Sequence, residues 1–307
     1  MTRLDFVLPE FFRYMWTSDR ARSEWEPRIG AVALAIAELQ WLTVANDMRQ
    51  GGIARVNPEQ LQAKRPNFAK RGVEAITVGR EARGTGGYQC AARSYVPGKP
   101  FQYCVAFGKR GAARELVDSV RSGNARATGG LLGYPECCVS FFLDNCQGHA
   151  YRDSVWPMAR ASVNESQGTE DRSNTIRIGQ SSLANVLLRG LGVRAVFHLP
   201  CRFDCQESLR FAERTIAIGR EEGFAKEMDW LCEMLRWPME WNALHGIAEI
   251  KTPVLKCSTS TDATGTLYRV LVAGDLFPGE CVRSAPNSVI RVEAIAPAGT
   301  NGDRSPR

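Results

Sequence analysis

Two short stretches of this 307-residue chain carry cysteines at positions where they could bind a metal. The first, LGYPECCVSFF at residues 132–142, has two adjacent cysteines just after a Gly-Tyr-Pro turn. The second, HLPCRFDCQESL at residues 198–209, has two more. Cysteine thiolates bind zinc and iron–sulfur clusters. We therefore expect the two stretches to meet in space and to form a metal centre whose ligands are Cys137, Cys138, Cys201 and Cys205.

Both stretches also carry signals for the start of a helix. Proline is favoured at the first position of a helix, so Pro135 predicts that the adjacent cysteines lie in a first helical turn. Asp204 is a good N-cap, and Glu207 completes a capping-box pattern for a helix that begins at Cys205. The positive end of a helix dipole stabilises a thiolate. The sequence thus predicts a metal site between two helix N-termini.

The spacing of the cysteines bears on the kind of metal. Cys201 and Cys205 are separated by three residues, which fits a structural zinc site. Cys137 and Cys138 are adjacent, and neighbouring side chains tend to point in different directions. A cluster with several metal corners accommodates such a pair more readily, so we favour a [4Fe–4S] cluster. Zinc is the alternative. A reactive dithiol without metal, and purely structural cysteines, remain further alternatives.

Two of the three histidines lie close to distinctive motifs. His198 precedes Cys201 by three residues and could act as a ligand or as a proton carrier. A cluster corner without a cysteine could then bind a substrate. In the stretch HGIAEIKTP, His245 and Glu249 stand near Lys251 and could provide acid–base or anchoring groups. The candidate catalytic residues are therefore His198, His245 and Glu249.

The rest of the chain must supply the elements that position these residues. Apolar residues recur at helical spacing over residues 26–50, and we expect Gly51 and Gly52 to end that helix. Alternating patterns predict strands at residues 72–80, 88–96 and 101–109. Further helices are expected at residues 111–123, after Pro135 as far as about Gly148, at residues 206–222 and at residues 223–236. We expect residues 150–180 to be a loop, and strands at residues 193–198, 246–257 and 266–273.

These elements predict an α+β fold, in which a helical scaffold carries a small antiparallel or mixed sheet. We expect an N-terminal part with a helix and a small sheet at residues 1–104. The cysteine motifs would lie in a metal-binding domain at residues 105–285. Residues 286–307, which are rich in proline, glycine and charged residues, would form a flexible tail.

Composition narrows the classes of partner. The hydrophobic content of 44% and the charged content of 23% are those of a soluble globular protein. The net charge of +6 is spread thinly, so an anionic small molecule or RNA fits it, and the basic segment 64–71 is where RNA would bind. The N-terminus lacks a signal-peptide pattern, and the most apolar stretch is interrupted by Glu38 and Gln40. We expect a cytoplasmic protein without a membrane span, in which cysteines serve a metal or catalysis rather than disulfides. The scattered cysteines are expected to be small buried apolar residues: Cys90, Cys104, Cys232, Cys257 and Cys281.

Across residues 105–270 the chain resembles an uncharacterised, cysteine-rich family of unknown function. Its motifs are LGYPxCCVxxF, HxPCxxDCxxSLxxA and an HGxAExxTP-like segment, present here as LGYPECCVSFF, HLPCRFDCQESLRFA and HGIAEIKTP. The resemblance implies that His198 belongs with the four cysteines. It implies no particular reaction.

Three functional hypotheses follow from the sequence. The first is an iron–sulfur-dependent enzyme that acts on a small molecule or handles sulfur. The second is a zinc-stabilised binding module without catalysis, with RNA as one partner class. The third is a thiol redox protein that uses the adjacent cysteine pair.

Overall fold

The computed structural model describes residues 5–7, 11–82, 95–146, 155–162, 168–170, 175–178, 182–244, 247–260, 266–269 and 281–282. The described helices are α1 (Asp19–Ala45), α2 (Pro58–Lys70), α3 (Ala112–Arg121), α4 (Ala125–Leu131), α5 (Glu136–Asn145), α6 (Val155–Ser162), α7 (Gln206–Glu221) and α8 (Ala225–Leu235), with a 3₁₀ helix at Leu187–Leu191.

The described strands form antiparallel sheets. The first sheet has the order β3-β5-β4, with β3 at Gly51–Val56, β4 at Glu74–Ala82 and β5 at Phe101–Gly108. The second has the order β2-β10-β9-β8-β7-β6, and the third has the order β1-β11-β12. Their strands are β1 (Asp5–Val7), β2 (Phe12–Trp16), β6 (Gly168–Glu170), β7 (Thr175–Ile178), β8 (Met239–Leu244), β9 (Ile247–Lys251), β10 (Leu255–Ser260), β11 (Thr266–Arg269) and β12 (Cys281–Val282). The predicted α+β class is confirmed.

Helix α1 is the longest element and the centre of the core. Ser18 caps it by accepting a hydrogen bond from the backbone N–H of Ala21 at 3.1 Å. Its predicted apolar face is confirmed as buried, and Trp41 also lies inside. Leu34, by contrast, is 70% exposed. One face of α1 therefore meets solvent.

The end of α1 lies earlier than the sequence suggests. The helix ends at Ala45, where the Asn46 side chain donates to the carbonyl of Leu42, and Gly51 and Gly52 belong to β3 instead. A Cβ at Gly52 would lie 2.7 Å from the backbone oxygen of Gln40 on α1. A Cβ at Gly51 would lie 2.9 Å from Leu116 Cδ2 on α3. These glycines are thus needed because β3 passes close to α1 at Gly52 and to α3 at Gly51, and not because they stop the helix.

Other parts of the chain differ from the predicted elements. Residues 58–70 form a helix that we did not predict, in which Pro58 occupies the favourable first position. The predicted loop at residues 150–180 contains α6, β6 and β7. Residues 193–198 form no strand, although Val193 and Val196 are fully buried. Their apolar pattern reflects burial of an irregular segment in the core. The predicted strand at residues 88–96 lies mostly outside the described residues.

One buried cluster joins α1, α7 and α8 to the six-stranded sheet, and a smaller cluster lies between β5 and α3. The predicted domain boundary after residue 104 falls inside β5, and the larger cluster draws residues from both sides of it. Helix α1 is long and apolar enough to cross a membrane, yet 61% of its most apolar window is buried within the protein. Its apolar face serves the core.

Candidate metal centre

The first pair of cysteines lies in the first turn of α5. Gly133 adopts a left-handed backbone conformation with a φ of +68°, and a Cβ there would lie 2.9 Å from the Cβ of Arg49. Glycine is therefore required at the turn that leads into the helix. Pro135 is the N-cap residue, one position before the place that we expected for it, and its carbonyl accepts hydrogen bonds from the N–H groups of Cys138 and Val139.

The second pair flanks the turn that leads into α7. Cys205 is the N-cap residue of that helix, and its carbonyl accepts from the N–H of Leu209 at 2.9 Å. The N–H of Cys205 in turn donates to the carbonyl of Arg202 at 3.2 Å, which closes the turn. Each pair of cysteines is thus held at a helix N-terminus.

The predicted capping box of α7 is wrong. Asp204 does not cap the helix. Its carboxylate accepts two hydrogen bonds from the guanidinium of Arg202, at 2.5 and 2.6 Å, and is therefore engaged elsewhere. Glu207 pairs with Arg210 instead of reaching back to the cap. The hydrogen bonds to Arg202 lower the pKa of Asp204. The ion pair between Arg202 and Asp204 thus stabilises the turn that follows Cys201.

The sulfur atoms of the four cysteines converge. Cys137 Sγ lies 3.9 Å from Cys138 Sγ and 3.7 Å from Cys205 Sγ, and Cys138 Sγ lies 3.7 Å from Cys205 Sγ. The sulfur of Cys201 is the fourth ligand atom, and all four sulfur atoms lie within 4.8 Å of one another. Cys138 and Cys205 are buried, Cys201 is partly buried and Cys137 is exposed. The predicted meeting of the two motifs is thus present in the structure, and the cluster could hold a metal ion.

The crowding of four thiols shapes their protonation. Burial, and then the neighbouring Cys205, raise the pKa of Cys201 to about 12. Burial also raises the pKa of Cys138. Burial opposes ionisation of Cys205 too, but hydrogen bonds from Ser208 and from neighbouring thiols outweigh it and lower that pKa. A thiolate is thus favoured at Cys205, whereas burial, reinforced by repulsion from neighbouring thiolates, opposes ionisation of Cys138 and Cys201. A bound cation would remove that repulsion.

Backbone and side-chain groups support the buried sulfur of Cys138. The N–H of Cys201 donates to Cys138 Sγ at 3.3 Å, so the second motif contacts the first directly. Ser208 Oγ lies 3.3 Å from the same sulfur and 2.8 Å from His198 Nε2. Ser208 was missed in the sequence, although it stands one helical turn after Cys205, where a side chain returns to the same face.

His198 lies beside the cluster and is not one of its four converging ligands. Its ring packs against Tyr134 and Phe211, with centroids 5.1 and 5.2 Å away. Burial, and then the charge of Arg49, lower the pKa of His198 to about 3, so the ring is neutral at physiological pH. Its Nδ1 is buried and has no hydrogen-bond partner among the described residues. His198 therefore reaches the cluster through Ser208.

Arg49 connects α1 to both motifs and was also missed in the sequence. Its guanidinium lies 4.7 Å from the ring of Phe197, directly before His198, and its Cβ faces Gly133 in the first motif. It donates to the carbonyl of Gln40 and, at 2.8 Å, to Thr43 Oγ1. Burial lowers the pKa of Arg49 to about 10. A basic residue after the end of a helix carries no sequence signal of such burial.

The third group of candidate residues lies elsewhere. Glu249 stands on β9, where its carboxylate pairs with Lys256 at 2.6 Å and contacts Ser258 at 3.3 Å on β10. Lys251, also on β9, pairs with Glu240 on the neighbouring strand β8. His245 lies outside the described residues. The catalytic roles of His198, His245 and Glu249 stay predictions.

The donor set fits a thiophilic metal ion or cluster, because it consists of four sulfur atoms held by two helix starts.

Other cysteines lie outside the cluster and behave differently. Cys257 is 1% exposed in the core, and burial raises its pKa to about 12. That agrees with its predicted role as a small buried apolar residue.

Comparison with family models, with curated proteins and with solved structures finds no match to this chain. The resemblance of its motifs to an uncharacterised cysteine-rich family therefore stays a prediction.

Proposed function

We propose that the four cysteines hold one zinc ion in a closed four-thiolate site, and that the protein is a zinc-stabilised binding module. The observation that carries this proposal is the spacing of the sulfur atoms, three of which lie 3.7–3.9 Å apart. Four sulfurs at about 2.3 Å from one ion in tetrahedral geometry would lie about 3.8 Å from each other. The sulfurs of Cys137, Cys138 and Cys205 match that edge length, and the sulfur of Cys201 lies within 4.8 Å of them.

The adjacency of Cys137 and Cys138 led us to favour a [4Fe–4S] cluster from the sequence. In the structure both side chains reach the same point, and each lies 3.7 Å from Cys205. The four irons of such a cluster each take a different cysteine. Because the irons are themselves separated, their cysteines must stand farther apart than ligands of a single ion. The short sulfur spacing therefore favours a single ion over a cluster.

The number of ligands supports a stabilising role for the ion. Four-cysteine zinc sites are typically structural, whereas catalytic sites keep one position for water or substrate. Cys138 and Cys201 come from motifs that are far apart in sequence and are linked by a direct hydrogen bond. A metal ion bound by these cysteines would link the N-terminus of α5 to the N-terminus of α7. Its binding energy would then contribute to folding.

Anaerobic purification followed by metal and sulfide analysis tests this proposal. We expect colourless protein with one zinc per chain and no acid-labile sulfide. Brown protein with iron and sulfide would contradict the proposal and restore the iron–sulfur enzyme. Metal-free protein whose thiols are oxidised and reduced reversibly would instead favour the thiol redox hypothesis.

Variants identify the ligands. Cys137→Ser and Cys201→Ser should each lose the zinc, because a serine hydroxyl is a poor ligand for it. Cys232→Ser, a change of the same kind at a partly buried cysteine on α8, should keep it. Full zinc loading in both of the first two variants would contradict the assignment.

A further inference from the structure

A cavity of about 440 Å³ adjoins the cysteine cluster. It lies between the end of α3, helix α4 and the first two turns of α5, and the segment at residues 197–199 closes one side. Cys138 and His198 form part of its buried wall, while Gly123 and Phe142 are exposed at its rim. Its volume lies within the range of about 300–1,000 Å³ that is usual for small-molecule sites.

The lining of this cavity is apolar and carries no formal charge. Its described residues include Val120, Leu132 and Val139, and no aspartate, glutamate, lysine or arginine is among them. A charged molecule that entered would lose its hydration without gaining an opposite charge. The cavity therefore suits an uncharged and mainly apolar molecule.

The hydroxyl groups in the wall are already engaged. Thr128 Oγ1 donates to Ser119 Oγ at 3.0 Å, and Ser119 Oγ donates to the carbonyl of Leu116 at 2.9 Å. Tyr134 Oη donates to the carbonyl of Phe197 at 2.9 Å. These groups can accept further hydrogen bonds, but they do not need a ligand. They add little attraction for a strongly polar molecule.

His198 is the exception in this wall. Its Nε2 is bonded to Ser208, whereas its Nδ1 is buried and lacks a partner among the described residues. Buried polar atoms without partners are uncommon in folded proteins and often mark functional sites. The side chain is 9% exposed and stands where the cavity meets the cysteine cluster. This polar point sits at the inner end of an otherwise apolar space.

Close helix packing shows that the space is not the result of poor packing in the region. A Cβ at Gly129 would lie 2.6 Å from Val139 Cγ2, so α4 and α5 are in tight contact beside the cavity. Protein interiors rarely leave voids much larger than a water molecule. A large apolar space next to such a contact is a feature of the local architecture.

We propose that this cavity binds a small, uncharged and mainly apolar molecule, with one end resting against Cys138 and His198. The inference rests on the proposed function, because it names the ligand class of the binding module. It requires the folded cysteine centre and does not depend on any reaction at the metal. The ligand would touch a sulfur that the metal site holds in place.

A neutral fluorescent probe, N-phenyl-1-naphthylamine, tests the inference on the full-length, metal-loaded protein. We expect saturable binding of one probe per chain. 1-Naphthalenemethanol should displace the probe, and 1-naphthoate, which has a similar shape and a negative charge, should displace it at least about tenfold less well, a difference of about 1.4 kcal/mol. Equal competition by the two compounds, or no saturable probe binding, would overturn the proposal.

Filling the cavity provides the matched test. Val120→Phe places a larger side chain in the space, and we expect probe binding to weaken at least about tenfold, which corresponds to about 1.4 kcal/mol. Val96→Phe makes the same change at a residue that is 49% exposed and outside the cavity, and it should bind the probe like the wild type. Ala125→Leu, at a partly exposed lining position, should also weaken binding. This second variant keeps the test valid if Val120→Phe does not fold.

Zinc content is measured in the same preparations, so the two proposals fail separately. Protein with one zinc that binds no probe would refute only the cavity ligand. Protein without zinc that binds the probe at the Val120-sensitive site would refute only the zinc assignment. Unchanged probe affinity in both cavity variants would place the probe elsewhere and overturn the inference.

Discussion

The sequence indicates two groups of candidate functional residues, the cysteine cluster and the pair Glu249 and Lys251 on the six-stranded sheet. The two groups are assembled in different ways. The cluster joins residues about 70 positions apart, whose sulfurs lie 3.7 Å from each other. Glu249 instead finds its partners, Lys256 and Ser258, on the neighbouring strand. Convergence of distant residues at buried helix starts costs conformational freedom that folding must offset. Pairing across adjacent strands follows from the sheet register alone.

The largest expected effect comes from removing one ligand of the cluster. Cys201→Ser should abolish zinc binding and lower the free energy of unfolding by about 4 kcal/mol or more, because the energy of metal binding is part of the folding energy. Denaturant unfolding followed by circular dichroism measures this change.

Glu249→Gln is the matching change in the sheet, where Glu249 is 37% exposed at its side chain. Its loss should cost less than about 1 kcal/mol, because exposed ion pairs contribute little. Equal losses of stability in Cys201→Ser and Glu249→Gln would show that the cysteine cluster contributes no more to stability than the ion pair on the sheet.

The next largest effect concerns the buried arginine behind the cluster. Arg49→Met should lower the free energy of unfolding by about 2 kcal/mol, because it removes hydrogen bonds to Gln40 and Thr43 and the contact with Phe197. Relief of a buried charge opposes this loss without cancelling it. Chemical denaturation of the zinc-loaded protein provides the measurement.

Arg28→Met, on α1, is the control. Arg28 also stacks on a ring, 4.7 Å from that of Trp25, but its side chain is 29% exposed. We expect a change below about 1 kcal/mol. If Arg28→Met were as harmful as Arg49→Met, Arg49 would have no special role in holding the two motifs.

A smaller effect is expected at the hydroxyl group that links His198 to the cluster. Ser208→Ala removes the contacts with Cys138 Sγ and with His198 Nε2. Groups that support metal ligands typically contribute about tenfold or more to metal affinity. We therefore expect zinc to be lost to a chelator at a concentration about tenfold lower than for the wild type. Ser122→Ala, at an exposed position, should leave zinc retention unchanged.

The smallest effect is a pH-dependent contribution far from the cluster. Hydrogen bonds from Arg71 lower the pKa of Glu222 below its ordinary value of 4.5. Its stabilising contribution is therefore present above about pH 4.5 and is lost as the pH falls through the lower, folded-state pKa. Because Arg71 is partly exposed, we expect less than about 1 kcal/mol. Glu222→Gln should remove this difference between pH 6 and pH 3 in urea denaturation curves, and an unchanged difference would contradict the assignment.

The sequence predicts the local parts of this molecule better than its junctions. Helices α5 and α7, and the placement of Cys137 and Cys138 in a first turn, follow from Pro135 and from helical periodicity. The class of the fold follows from the alternation of helical and strand patterns. The meeting of the two motifs could be inferred only from their shared composition.

What the sequence could not supply depends on contacts between distant segments. Gly51 and Gly52 resemble a helix stop, but Gly52 is needed where β3 approaches α1 and Gly51 where it approaches α3. Asp204 has the sequence of an N-cap, but Arg202 engages its carboxylate. Arg49 gains its burial only when the two motifs close around it. Local patterns do not contain this information.

X-ray absorption at the metal of the anaerobically purified protein distinguishes a single zinc ion from an iron–sulfur cluster. We expect a zinc edge with a single shell of four sulfur atoms at about 2.3 Å and no second metal nearby. An iron edge with a neighbouring iron, or a shell that contains a histidine nitrogen, would contradict a single ion held by Cys137, Cys138, Cys201 and Cys205.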